Sequence, residues 1–343
     1  NAVASGKDEI ERLAATLSHP AWQVRALADA LGSARAELPR LLDIDNLPPS
    51  VTLVARPGAC DVEELLDMSK AEVGKWSPYA VRISGIAPGD VPAVVDGRAA
   101  VQDEGSQLVA LALAHATIEG SDSQWLDLCA GPGGKAGLLA ALAHARGGSL
   151  TAVELQPHRA DLVRKTLRGV PGAHDVRVAD GRTVTGSFDR VLVDAPCSGM
   201  GTLRRNPDLK WRQTPAGILD LNQKQMGILD SAARLLKPGG RLVYATCSLL
   251  PQENQAIAES FLLKHPEFEV IPAAEVLKSL FPKDKLPLGC SADNPWWQLW
   301  PHIHGTDGFF GAIFQRKAVS TDSSGNDRQE KEVLIKAKKP AKD

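Results

Sequence analysis

Along the first hundred residues the apolar positions change period twice. Ile10, Leu13 and Leu17 fall on one helical face, and Val24, Leu27 and Leu31 repeat the spacing after His19 and Pro20. This predicts two short amphipathic helices over 9–32, the tail of a helical region. DIDNLPPS (43–50) reads as a turn-rich connector. VTLVARP (51–57) predicts a strand that Pro57 ends, DVEELLDMSKAEV (61–73) a helix, and YAVRISG (79–85) a second strand. Roughly 46–100 would then form a small α+β unit.

From about residue 101 the pattern becomes repeated strand–turn–helix units. SQWLDLCAGPGGKAGLLAALAHA runs from an apolar strand through a glycine turn into an Ala/Leu-rich helix. LTAVELQPHRADLVRKTLRG, FDRVLVDAPCSG and LLKPGGRLVYATCS follow the same scheme. Alternation of this kind predicts an α/β fold, a mainly parallel sheet covered by helices. After Lys317 the sequence is polar, mixed in charge and free of aromatics, which predicts a disordered tail over 318–343. The expected division is therefore 1–45 helical, 46–100 small α+β, 101–317 the main α/β domain, and the tail.

Composition narrows the function classes. With 343 residues, 43 % hydrophobic and 23 % charged, the chain is an ordinary globular one with room for two domains. Its formal net charge of −2 argues against nucleic-acid binding through overall charge and leaves a local basic stripe as the means. The cysteines, Cys60, Cys129, Cys197, Cys247 and Cys290, are odd in number, widely spaced and without a CxxC pair, so neither a disulfide framework nor a metal site is expected. No apolar run approaches the roughly 18 residues of a membrane span, and no signal-peptide pattern is present. A monomer in a reducing cytoplasm is the expectation. The chain opens at Asn1 rather than methionine, consistent with a piece of a longer protein.

Ligands of open α/β sheets sit over the carboxyl ends of the strands, which directs attention to the first glycine turn. DLCAGPGGK fits neither a P-loop nor the dinucleotide fingerprint. Gly131, Gly133 and Gly134 would let a ligand approach the backbone closely, and the following helix aims N–H groups at a carboxylate. Glu154 ends the next strand, where an acid commonly takes a ribose hydroxyl pair. Asp180, in VRVADGR, is placed to accept from an adenine amino group. With Asp194 these features form an ordered run consistent with S-adenosylmethionine. A glycine turn alone is as often only a tight connection, and a strand-end acid is more often solvated. What separates this reading from a dinucleotide dehydrogenase lies downstream.

LDLCAGPGGK, VELQPHR, VRVADGR, DAPCSGMGTLRRNPDLKWR, LLKPGGRLVYATCSLLPQEN and GTDGFFGAIFQR, taken together, resemble the RNA cytosine-5 methyltransferases of the Sun (RsmB/Fmu) family, bacterial 16S ribosomal RNA type. The likeness spans roughly 20–317, and the pairing of DAPCSG with ATCS is its most specific part. It implies a Rossmann-like S-adenosylmethionine-dependent methyltransferase sheet. The cofactor set it implies is Cys129, Ala130, Gly131, Pro132, Gly133, Gly134, Lys135, Glu154, Arg159, Asp180, Gly181 and Asp194. The unit at 46–100 resembles the family's RNA-recognition-like subdomain but lacks the aromatic strand motif of a true RNA-recognition module. The family type also carries an N-terminal helical domain resembling the antitermination factor NusB, of which only the trailing edge, or the linker after it, would be present here.

Chemistry explains the thiols. Cytosine C5 is too poor a nucleophile for a sulfonium methyl, whereas addition of a thiolate at C6 makes C5 enamine-like. DNA enzymes of this chemistry use the cysteine after proline, which would be Cys197. The resemblance to the RNA enzymes implies Cys247 as nucleophile, with Cys197 helping to release the covalent product. Asp194 is placed to hydrogen-bond the cytosine edge, and Lys135 resembles the family's lysine facing the reacting centre. Cys60, Cys129 and Cys290 read as small buried hydrophobes.

In GTLRRNPDLKWR, Arg204, Arg205, Lys210 and Arg212 outnumber the single acid Asp208, and Trp211 lies among them. The basic groups would neutralise phosphates and the tryptophan could stack on an extruded base, although a charge run is commonly just a solvated face. Arg159, Arg164, Lys165 and Arg168 lie along one helix and read as such a face, Arg159 being in the cofactor set only by resemblance. The expected activity is methyl transfer to C5 of a cytosine in RNA, most simply 16S ribosomal RNA, with transfer RNA as the other substrate. The reading from a different class is a ribosome-assembly or RNA-binding factor that keeps the cofactor fold without turnover. Transfer to an exocyclic amine would call for an Asn/Asp-Pro-Pro-aromatic motif, where this chain has APCS.

Overall fold

The fold is assembled from two sheets, each built where the apolar runs lie. The computed structural model describes residues 9–68, 70–281 and 294–318; Cys290 and the expected tail from 319 onward lie outside them. The N-terminal segment forms the two expected helices, Glu9–Thr16 and Ala21–Leu31, and a third, Leu38–Ile44, that the sequence reading did not include. Pro39 sits in the first turn of that third helix, where its missing N–H is harmless. Val24, Leu27, Leu41 and Leu42 are fully buried among these helices, and Leu249, just beyond Cys247, joins the same cluster.

The small sheet contains β1 (Val51–Ala55), β2 (Ala71–Val73), β3 (Ala80–Ile83) and β4 (Ala99–Val101) in the antiparallel order β2-β3-β1-β4. Here one expectation is corrected. The helix read over 61–73 stops after one turn, Val62–Leu66, and its last residues become β2, paired Ala71 to Ile83 and Val73 to Val81. Hydrogen bonding to β3 decides the conformation of those three residues, and a helical period in sequence cannot register a partner strand.

The large sheet comprises β5 (Gln124–Asp127), β6 (Ser149–Glu154), β7 (Ala173–Val178), β8 (Phe188–Asp194), β9 (Leu236–Thr246), β10 (Phe268–Ile271), β11 (Trp297–Leu299) and β12 (Phe309–Arg316). Its order is β10-β12-β9-β8-β5-β6-β7, parallel from β7 through β9; β12 runs antiparallel between β9 and β10 and also pairs with β11. The helix Gly134–His144 carries only Ala, Leu and Gly over its middle and is buried nearly all round, as a helix apolar on every side must be. With the helix Glu104–His115 it covers one face of the sheet; Pro215–Leu235 and Gln255–Lys264 cover the other.

Arg56, just past the end of β1, ties the small unit to the helix Pro157–Leu167 that packs beside the large sheet. Its guanidinium donates to the carbonyls of Gly97 (2.7 Å) and Thr166 (2.9 Å), and burial pulls its pKa down to about 10. A Cβ on Gly137 would lie 2.6 Å from that guanidinium, so the close approach requires glycine there. On the other side of the seam, the Glu104 carboxylate accepts from the backbone N–H groups of Lys75, Trp76 and Ser77.

Candidate active site

The chain leaves β5 for β6 on one side and returns to β8 on the other, opening a crevice over the carboxyl ends of these strands. A cavity of about 420 Å³ lies there, lined by Cys129, Gly131, Glu154, Arg159, Asp180, Gly181, Asp194, Cys197 and Cys247 of the expected set. Leu128, Leu155, Gln156, Ala195, Pro196 and Ile228 complete the lining, and the sequence reading assigned none of them a role. Ala130, Pro132, Gly133, Gly134 and Lys135 stand behind the lining, shaping the turn and the start of the helix.

Each strand end contributes a carboxylate held by local backbone. Glu154 accepts from the N–H of Gly131 (3.0 Å) and of Gln156 (2.9 Å), with the Arg159 Nε 3.7 Å from its Oε2. A Cβ on Gly131 would fall 2.1 Å from that same Oε2, and Gly133 turns the chain at φ +117°. Arg182 forks onto the Asp180 carboxylate, which lowers the Asp180 pKa. An incoming adenine amino group would have to share that carboxylate. Asp194 Oδ2 lies 2.8 Å from the Lys135 Nζ, which also stands 4.9 Å over the Phe309 ring. Burial works against the Lys135 ammonium, but Asp194, with Cys247 and Asp127 behind it, outweighs burial and raises its pKa.

The two thiols meet. Cys197 and Cys247 leave the ends of neighbouring parallel strands β8 and β9, and their Sγ atoms are 3.4 Å apart. The hydrogen bond to Cys247, then burial, then the nearby charges push the Cys197 thiol well above the ordinary range. Around them Glu253, fully buried, accepts from Ser198 and Ser248, and Gly201 donates its N–H to the Cys247 carbonyl.

The basic loop divides. Arg204 pairs with Asp307 (3.3 Å), Arg205 with Asp307 (2.7 Å) and Asp103 (3.1 Å), and Lys210 is buried with its Nζ on Asn46 (2.6 Å). These three expected phosphate ligands instead fasten the loop to the turn at 305–307 before β12, to the helix start at 103 and to the end of the N-terminal helical segment. Trp211 and Arg212 remain exposed, Trp211 at 67 %.

Asp127, which the sequence reading passed over, ends β5 with no exposure; burial, then Asp194, raise its pKa from 3.8 to about 7. Between those two values the native state holds a proton that the unfolded chain has released, so this group makes stability fall as pH rises through the window. The full effect, present above about pH 7, is bounded at roughly 4 kcal/mol. Asp127→Asn is neutral throughout. Its thermal midpoint relative to wild type is expected to rise between pH 4 and pH 8, and a difference that is flat with pH would refute this.

An open α/β sheet with its cavity at the switch point, glycine turn first and acids on successive strand ends, has the architecture of Rossmann-like S-adenosylmethionine-dependent methyltransferases. Within that class the chain belongs to the family described as 16S rRNA methyltransferase RsmB/F, whose model matches residues 115–315. A Mycobacterium tuberculosis protein whose name calls it a methyltransferase is 45 % identical over 311 residues, covering 90 % of this chain and 66 % of that protein. A Bacillus subtilis protein named as ribosomal RNA small subunit methyltransferase B is 36 % identical over 322 residues, covering 91 % and 69 %. The crystal structure of PH0851 superposes with a TM-score of 0.78 at 29 % identity, covering 90 % of this chain and 68 % of its own. The chain spans about two thirds of the length of the curated relatives it matches.

Proposed function

We propose that this chain transfers a methyl group from S-adenosylmethionine to C5 of a cytosine in RNA, 16S ribosomal RNA in the first instance, through a covalent bond between Cys247 and C6. The observation that carries the reading is the pair of thiols 3.4 Å apart in the lining of a cavity that Asp194, paired with Lys135, also lines. The cavity suits the cofactor. Gly131 leaves no room for a side chain where a ligand would approach, and two of the roughly four lone-pair positions on Glu154 stay open for a hydroxyl pair. When bound, the cofactor supplies an electrophilic methyl group.

The chain's own residues do the rest. Asp194 accepts from the cytosine N4 amino group, and Lys135 sets a cation beside it. The Cys247 thiolate adds to C6, the S–C6 bond forms, and the C5–C6 π pair moves to C5, which becomes the nucleophile. Once C5 is methylated, a base removes its proton, the electron pair re-forms the C5–C6 double bond, and Cys247 leaves as thiolate. The Cys197 thiol, kept protonated by its surroundings, donates a hydrogen bond to the departing sulfur. Trp211 and Arg212 are the exposed candidates for RNA contact on the loop.

C5 chemistry can be read directly. RNA carrying tritium at cytosine C5 is expected to release it to water when incubated with the protein and S-adenosylmethionine, from 16S ribosomal RNA in preference to transfer RNA. Preferential release from transfer RNA would reassign the substrate. Methylation without release would move the reaction off C5, and neither release nor methylation would favour the binding-factor reading.

A further inference from the structure

A carboxylate that neither touches the cavity nor pairs with a cation lies behind both thiols. Glu253 has no exposure, and among the described residues it forms no ion pair. Burying a carboxylate this way is costly unless hydrogen bonds replace its hydration, and an apolar residue would serve mere packing better. We propose that Glu253 is the positioning residue that fixes the separation of the two thiols, by holding the serine that follows each cysteine. The inference rests on the reading of Cys197 and Cys247 as the reacting pair.

The geometry is nearly symmetrical about this side chain. Its Oε1 accepts from the Ser198 N–H (2.8 Å) and the Gln225 Nε2 (3.2 Å), and its Oε2 from the hydroxyls of Ser198 and Ser248 (both 2.5 Å). Four donors match the lone-pair sites of an ionised carboxylate, an acceptor-only group. The two serine hydroxyls lie 3.2 Å apart and the two thiols 3.4 Å apart, so the Cys-Ser steps run side by side with one carboxylate clamping both. Glu253 is itself anchored: Tyr244 OH donates to its carbonyl, and its neighbour Asn254 accepts from Thr246 Oγ1 and donates to the Ser248 carbonyl. Gln225 also donates to the Pro196 carbonyl, tying the residue before Cys197 to the same frame.

A second consequence follows from charge. After the Cys247 hydrogen bond, burial and Cys247's charge, Glu253 is a further influence raising the Cys197 thiol. The clamp thus helps keep Cys197 as the proton-bearing member of the pair while Cys247 attacks. A glutamine in its place would keep the volume, remove the charge, and point an N–H₂ group at hydroxyls that need an acceptor.

The test is the rate at which diamide closes a Cys197–Cys247 disulfide in the full chain without RNA, the reagent taking up both thiol hydrogens as the S–S bond forms. Peptide mass mapping follows the bridge, and S-adenosylhomocysteine affinity monitors the cavity. Wild type is expected to close readily. Compared at equal thiolate fraction, because loss of its charge also lowers the Cys197 thiol, Glu253→Gln should close at least about tenfold more slowly, the worth of one charge-assisted hydrogen bond, with S-adenosylhomocysteine affinity little changed and methyl transfer lost in kcat rather than in cofactor KM. Closure of Glu253→Gln at the wild-type rate would overturn the proposal. If that variant fails to fold, Ser248→Ala carries the same test with the same criterion. Wild type that does not close at all would remove the paired-thiol geometry itself. Because closure needs neither RNA nor turnover, absence of tritium release would sink the proposed function without touching this result.

Discussion

A Cys197→Ala variant incubated with 16S ribosomal RNA and S-adenosylmethionine is expected to accumulate a protein–RNA adduct that survives denaturation, whereas Cys247→Ala is expected to form none. The expectation follows from what each thiol can do at 3.4 Å from the other. On the proposed mechanism Cys247 forms the bond to C6, so its removal is expected to abolish the adduct and the turnover together. Cys197 is pushed up by the Cys247 hydrogen bond and by burial, which on the same proposal keeps it a donor to the sulfur that must leave. Without that donor the elimination slows, by about 100-fold or more if the contribution is of the usual general-acid size. The intermediate then outlives the assay. Gel electrophoresis under denaturing conditions reads the result, and the reverse pattern would make Cys197 the nucleophile. No adduct from either variant would point to a protein that binds RNA without reacting.

Gly201→Ala is expected to damage both stability and activity, although Gly201 touches neither cofactor cavity nor exposed surface. Its N–H donates to the Cys247 carbonyl at 2.8 Å, and its carbonyl accepts from the Gly308 N–H at 2.7 Å. A Cβ there would sit 2.1 Å from the Gly308 carbonyl oxygen and 2.8 Å from the Gly308 Cα. Backbone cannot swing aside as a side-chain tip can, so the loop after Cys197 must lift off the start of β12. We expect destabilisation of about 3 kcal/mol, the upper end for overpacking, and a fall in Tm of about 4 °C or more. Displacing the thiol loops by about 1 Å should lower methyl transfer roughly 100-fold. Gly89→Ala, where an added Cβ meets nothing within 4 Å, is the control and should melt with wild type. Wild-type melting and turnover in Gly201→Ala would refute the contact.

The repeating apolar strands and their glycine turns are local signals, which is why the α/β class, the crevice and the acids at the ends of β6 and β8 were legible in sequence. What was lost is non-local. Arg204 and Arg205 look like a basic face because their carboxylates, Asp103 and Asp307, lie about a hundred residues away on either side. Lys210 looks solvent-facing until Asn46 and the N-terminal helices are folded against it. β2 looks like the end of a helix because its partner β3 is invisible to a period count. Glu253 stood within a motif already singled out, LLKPGGRLVYATCSLLPQEN, yet the motif alone gives it no task, since three of its four donors come from Ser198 and Gln225. Gly308 is the same case: the late GTDGFF run resembles the family, but only its contact with Gly201 shows why glycine stands there.

The placement of β12 bears on how the protein is made. This strand, the last described element of the chain, is inserted between β9 and β10 rather than added at an edge. While the chain emerges from the ribosome, β9 therefore has β8 on one side and an unsatisfied edge on the other until residues 309–316 arrive. Gly308 and Asp307, which brace the loop after Cys197, come with them. Folding cannot run to completion from the N-terminus, and the paired thiols are braced only after synthesis has passed them by some sixty residues (307 − 247 = 60). A nascent chain has all its chemical groups before it has the architecture to aim them.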